Sequence, residues 1–84
     1  MNKDVEYLAE LAFSNRNRET IGHLSHSQQI ALALIFGRAA WLKAAGFDPD
    51  DVMGAYDRIG DAWGGAIAQA REVYILKANA ANYS

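Results

Sequence analysis

The stretch AAGFDPDD, Ala44 to Asp51, lies between two long apolar segments and determines where the chain turns. Gly46 is placed to adopt the left-handed conformation that commonly ends a helix. The next residue, Phe47, would then contact Leu42 and complete a Schellman cap. This first half of the stretch therefore predicts the end of a helix at about residue 45.

The second half of the same stretch predicts the start of another helix. Asp48 is a favourable N-cap residue, and Pro49 is favourable at the first helical position. Phe47 would precede the cap and contact Val52 as a hydrophobic staple. One aromatic side chain would thus join two helices, which predicts an antiparallel helical hairpin with its corner at Phe47.

The helix before this corner is predicted to span residues 26–45. Ser25 and Gln28 have the spacing of a capping box at its beginning, and Lys43 lies in its last turn, where a cation is favoured. The helix also carries a stripe of small residues, which suits the close approach of another helix. That stripe consists of Ala33, Gly37, Ala40 and Ala44.

The helix after the corner is predicted to span residues 49–78. Its apolar residues recur at nearly the natural helical period; they are Val52, Tyr56, Ile59, Trp63, Ile67, Ala70 and Tyr74. Gly64 and Gly65 each cost about 1 kcal/mol relative to alanine, so a kink or break there is the alternative to one continuous helix. The tail, 79–84, is expected to fray.

A first, shorter helix is predicted over residues 4–13, where Val5, Leu8 and Ala12 have helical spacing. The predicted fold class is therefore all-α: a small helical bundle built on an antiparallel helical hairpin with a short N-terminal helix. The 84 residues are expected to form one domain.

Composition narrows the classes of function. The net charge of −2 disfavours a protein that holds nucleic acid through phosphate contacts. The longest apolar run, residues 30–37, is far shorter than the roughly 20 residues that cross a bilayer, so no membrane partner is expected. Cysteine is absent, which is compatible with a reducing cytoplasm, the expected location.

The second helix is apolar on nearly every face, whereas a helix in a small domain normally has one apolar stripe. Three explanations stand: the first and third helices cover all of it, a second copy covers part of it as a homodimer, or a different protein docks on it. The residues expected at such an interface are Leu34, Ile35, Arg38, Trp41, Leu42 and Trp63.

Catalytic and metal chemistry is not expected. The hydroxyls Ser14, Thr20, Ser25 and Ser27 lie in no nucleophile motif, and the cap role explains Ser25. Glu19, His23 and His26 are the conceivable metal ligands, but no fourth ligand accompanies them. Neither a catalytic residue nor a cofactor is therefore predicted.

An anion site is the alternative hypothesis for a ligand. Arg16 and Arg18 precede the amino end of the second helix, where free N–H groups, Ser25 and Ser27 could receive the phosphate or carboxylate of a nucleotide. The competing interpretation is that residues 15–18 form a solvated connector.

The leading hypothesis is a non-enzymatic helical protein that acts through protein–protein contacts. It would self-associate, or bind and inhibit a larger partner. The small size and acidic charge are typical of accessory proteins of phages and mobile elements that block host defence or regulatory machinery. The alternative is an oligomeric helical hairpin that binds a small anionic ligand such as a nucleotide.

Overall fold

The computed structural model describes residues 3–48 and 50–83, apart from the side chains of residues 60–62 and 83. This part of the chain contains helices and no strands, so the predicted all-α class is confirmed. The helices are α1 (Lys3–Asn15), α2 (His26–Phe36), α3 (Ala39–Ala44), α4 (Val52–Trp63) and α5 (Ile67–Tyr83).

The start of α2 follows from the capping box read in the sequence. The Gln28 amide donates to Ser25 Oγ at 3.3 Å, and the Ser25 amide donates to Gln28 Oε1 at 2.9 Å. Two N–H groups that have no partner within the helix are thereby satisfied. The predicted first residue, His26, is confirmed.

The prediction of one helix over residues 26–45 is wrong, because the chain reverses at Gly37. Gly37 has a φ of 65°, and the Arg38 amide donates to Ala33 O at 3.2 Å, as in a Schellman motif. His26 Nε2, at the first residue of α2, lies 2.7 Å from Ala45 O, just after α3. Since α2 is about 16 Å long, this contact requires α3 to run back along it.

The end of α3 has the cap that the sequence predicted. Gly46 has a φ of 96°, and the Phe47 amide donates to Leu42 O at 3.1 Å. The Phe47 side chain is half-buried against the core. Its ring also stacks on the His26 imidazole, with centroids 6.4 Å apart.

The predicted start of the next helix is wrong by three residues. α4 begins at Val52, and the Asp51 carboxylate accepts from the Gly54 amide at 3.0 Å, as an N-cap side chain does. The Asp48 carboxylate accepts instead from the Asp50 amide at 2.9 Å, within the turn. The predicted role of Pro49 lies outside the described residues.

The predicted hairpin at Phe47 is not confirmed. α4 packs mainly against α2, and its contact with α3, the helix that precedes it in the chain, is slight at most. The antiparallel reversal that the structure does contain lies at Gly37, inside the segment that the sequence predicts as one helix.

The last predicted helix, 49–78, is broken in two at residues 64–66, where two adjacent glycines lower the helix propensity. The Ala66 amide donates to Trp63 O at 2.8 Å in the turn between α4 and α5. α5 continues to Tyr83, beyond the residue at which fraying was expected. α5 forms its most extensive contact with α1, and Lys77 Nζ lies 2.7 Å from Glu10 Oε1 across that contact.

One buried cluster joins the five helices, and α2 supplies more of it than any other. Its residues 30–35 are buried without interruption. α2 packs against each of the other four helices, which is how side chains on all of its faces are covered. Within the described ranges, no helix combines the length and hydropathy that a membrane crossing requires.

The reversal at Gly37 generates the first prediction. A Cβ at Gly37 would meet no atom within 4 Å, so Gly37→Ala tests the left-handed backbone alone. We expect it to lower the free energy of unfolding by about 1 kcal/mol relative to Gly22→Ala, measured by urea unfolding followed with circular dichroism. Gly22 is the control because its surroundings are equally open and its φ is not positive.

Both substitutions remove the same flexibility from the unfolded chain. Their difference therefore reports the native backbone conformation. Equal stabilities would contradict the left-handed reversal at Gly37.

Candidate functional site

Four of the six predicted interface residues lie in the core. Leu34, Ile35, Trp41 and Leu42 are between 1% and 8% exposed, so most of their surface is already covered by the same chain. Of the three explanations for the apolar second helix, this burial favours cover by other helices of the same chain. The reason is the reversal at Gly37, which places α3 against α2 and buries the apolar side chains of both.

The other two predicted interface residues are more accessible. Trp63 is half-buried at the end of α4, with its ring centroid 5.9 Å from that of Tyr7. Tyr7 Oη in turn accepts from Gln28 Nε2 at 2.6 Å, which connects this pair to the capping box of α2. Arg38 is exposed at the turn between α2 and α3.

The predicted anion site is not assembled. The carbonyl oxygens of Arg18 and Arg16 lie 3.4 and 3.5 Å from the Arg38 guanidinium, at the carboxyl end of α2. Ser25 and Ser27 lie at the opposite end of the same helix, about 16 Å away. The connector runs along α2, so its arginines and the serines lie at opposite ends of it.

Two residues of that predicted site, Arg16 and Ser25, already make contacts within the chain. Arg16 Nη1 donates to Phe13 O at 2.6 Å, and its guanidinium lies 3.8 Å from the centre of the Phe13 ring. Ser25 Oγ is the cap acceptor of α2. Arg18 and Ser27 are exposed. The interpretation of residues 15–18 as a connector fits this geometry better than a ligand site does.

The two histidines serve structural contacts in separate places. His23 Nε2 lies 3.1 Å from Oδ1 of the buried Asn15, whose Nδ2 donates to Leu11 O at 2.8 Å. Because carbonyl oxygens only accept, His26 Nε2 must be the donor to Ala45 O. The described residues contain no group of three side chains that would suit a metal ion.

An aromatic cluster lies against Arg38. The Phe36 ring meets those of Trp41 and Tyr74 edge-on, at centroid distances of 5.2 and 4.9 Å. The Arg38 guanidinium lies 4.3 Å from the Trp41 ring centre and 5.0 Å from that of Phe36. Trp41 Nε1 donates to Glu19 O at 3.1 Å, so the indole has a hydrogen bond to the connector as well as the contact with the guanidinium.

Next to this cluster a groove opens between α2, the α2–α3 turn and the first turns of α4. We call it the α2–α4 groove; its volume is about 260 Å³. Its walls are mainly apolar, and a phenol and two arginines supply most of its polar groups. The lining residues are Ala33, Leu34, Gly37, Arg38, Ala39, Leu42, Val52, Tyr56 and Arg71.

The groove is distinguished by apolar surface that the fold leaves open. Val52, on its α4 side, is 42% exposed. A second depression, of about 310 Å³, lies between the connector and α3, but the large apolar residues in its lining, Ile21 and Trp41, are buried. A third is lined by Glu10 and Lys77, which are already paired with each other.

Sequence reasoning found Leu34, Arg38 and Leu42 in this site and missed Tyr56 and Arg71 as part of it. Tyr56 belongs to the apolar stripe of α4, which predicts burial, and no local pattern shows that its neighbours leave space. Arg71 is one of several exposed charges on α5. Only the packing of α4 and α5 around the α2–α3 turn brings these two residues to one groove.

The stacking of Arg38 generates the second prediction. We expect Arg38→Ala to lower the free energy of unfolding by about 1 kcal/mol, because the substitution removes the guanidinium from the faces of Trp41 and Phe36. Arg58→Ala, at an exposed residue of α4, should change it by less than about 0.5 kcal/mol. Urea unfolding of both variants checks this; equal effects would show that Arg38 makes no stabilising ring contact.

The chain matches no protein-family model, and comparison with curated proteins and with solved structures gives no significant match.

Proposed function

We propose that the protein is a non-catalytic binding protein and that its α2–α4 groove receives an apolar side chain of a partner protein. The observation that carries the proposal is the exposure of Val52. Val52, Ala55 and Ile59 have the spacing of one helical face. Ala55 and Ile59 are 0% and 7% exposed, whereas Val52 is 42% exposed at the groove. The inward face of α4 thus remains uncovered where the groove lies.

The size of the groove favours a side chain over a whole ligand. Sites for small organic molecules commonly have volumes of roughly 300–1,000 Å³, and the α2–α4 groove has about 260 Å³. A nucleotide would extend well outside it. One large apolar side chain fits such a space, and anchoring residues of this kind dominate the energetics of many protein interfaces.

We propose that binding inhibits the partner protein. A protein of 84 residues that covers a segment of a larger partner makes that segment unavailable to other molecules. The origin in a phage or mobile element, which size and charge suggest, belongs to the same proposal.

We favour a different protein over a second copy as the partner, because the second helix no longer motivates self-association. The side chains of residues 30–35, which seemed to need a second copy, are buried within one chain. Light scattering after size-exclusion chromatography, over a hundredfold range of concentration, measures it directly. We expect a monomer across that range, and a constant dimer mass would contradict this expectation.

The groove is tested by selecting peptides from a displayed library of random dodecamers. Ala39 is exposed and lines the groove, so Ala39→Trp should fill it. Ala80→Trp makes the same change at an exposed residue of α5 outside it. We expect the best peptides to bind the wild type and the Ala80→Trp variant equally, and to bind the Ala39→Trp variant at least tenfold more weakly by calorimetry.

Circular dichroism of both variants verifies that they are folded. A selection that yields no peptide, or only peptides that bind all three proteins equally, would contradict binding through the groove.

A further inference from the structure

We infer that the partner segment is acidic: an apolar side chain enters the α2–α4 groove while a neighbouring carboxylate pairs with Arg71. This inference rests on the proposed function and adds to it the chemistry of the partner. It is carried by the charges around the groove.

Among the residues that the structure describes, the lining of the groove contains two arginines and no acidic residue. Over the whole chain the balance is the reverse, with ten Asp and Glu against eight Lys and Arg. The described lining of the groove therefore carries a net positive charge, whereas the whole chain is acidic. Such a site attracts an acidic segment and disfavours a basic one.

Arg71 is the arginine with donors to offer. It is exposed on α5. Among the side chains that the structure describes, Lys77 forms an ion pair with Glu10 on the α1 side of α5, and Arg71 takes no part in it. A guanidinium presents its N–H groups in a planar fork that matches both oxygens of a carboxylate. A carboxylate from a partner can therefore bind Arg71 without displacing a carboxylate of this chain.

Arg38 adds a second positive charge whose position is already held. Its guanidinium lies over the Trp41 and Phe36 rings and contacts two backbone carbonyls at 3.4 and 3.5 Å. Little side-chain freedom remains to be lost when a partner binds. Arg38 thus contributes a fixed charge near the α2–α3 turn, and Arg71 contributes an adaptable one from α5.

Asp57, which follows Tyr56, and Glu72, which follows Arg71, are exposed and outside the described lining of the groove. Asp51 precedes Val52, but its carboxylate accepts from the Gly54 amide. Asp48 accepts from the Asp50 amide within the turn. Both carboxylates are engaged with backbone donors at the amino end of α4, outside the groove lining.

The same library selection tests the inference. We expect the peptides that are lost on Ala39→Trp to carry Asp or Glu beside an apolar residue. The tightest of them should lose about tenfold in affinity on Arg71→Gln, the loss expected for one charge-assisted contact. Arg71→Lys should restore most of that loss, and Arg58→Gln, an exposed arginine of α4 outside the groove lining, should change nothing.

A charge exchange completes the test. Arg71→Glu should bind the version of that peptide whose acidic residues are replaced by Lys better than it binds the original. If the groove-dependent peptides are neutral or basic, or ignore Arg71→Gln, the acidic-segment inference is overturned while the proposed function stands. If no peptide depends on the groove, both are overturned.

Discussion

The covering of α2 determines the position of every other helix. Residues 30–35 are buried in succession, and six successive helical residues point to all sides of the helix axis. No single neighbouring helix can cover them. α1, α3, α4 and α5 each pack against α2, so the bundle is a central helix surrounded by the rest of the chain. Such an arrangement buries a large share of a short sequence, which a domain of this size needs for stability.

The reversal at Gly37 makes this covering possible with 84 residues. A straight helix over residues 26–45 would extend about 30 Å, while the longest dimension of the whole molecule is 37 Å. A straight helix would also carry Trp41 and Leu42 away from the start of α2, next to which α3 now ends. By turning back, α3 places both side chains in the core. The chain itself thereby provides the cover that a second copy would otherwise supply.

Features that depend on a few adjacent residues could be predicted from the sequence. The capping box of Ser25 and Gln28 and the Schellman cap at Gly46 are of this kind, because each needs only a short stretch with one special conformation. After the break at Gly37, no short stretch of this kind marks the start of α3. Arg38, the N-cap of α3, makes no side-chain cap hydrogen bond, so nothing local announces a new helix. The burial of Trp41 and Leu42 selects the reversal.

The start of α4 shows the same limit. Local rules favour Asp48 as its N-cap, because Pro49 follows it, whereas Asp51 accepts the cap hydrogen bond in the structure. The burial of most predicted interface residues could not be predicted for a related reason. The sequence shows that Leu34, Ile35 and Leu42 are apolar. Whether other residues of the same chain bury them depends on the reversal at Gly37, which the local sequence pattern does not predict.

The groove and the reversal have a common origin in the small residues of the α2–α3 segment. If the helix were continuous, Ala33, Gly37, Ala40 and Ala44 would form one stripe for the close approach of a neighbour. The turn at Gly37 divides them: Ala33 and Gly37 line the α2–α4 groove, and the other two line the depression beside the connector. In a straight helix these small residues would leave room for one packing partner. In the structure they line two separate spaces, the α2–α4 groove and the depression beside the connector. A side chain larger than that of Ala at Gly37 would therefore strain the left-handed turn and also change the lining of the groove.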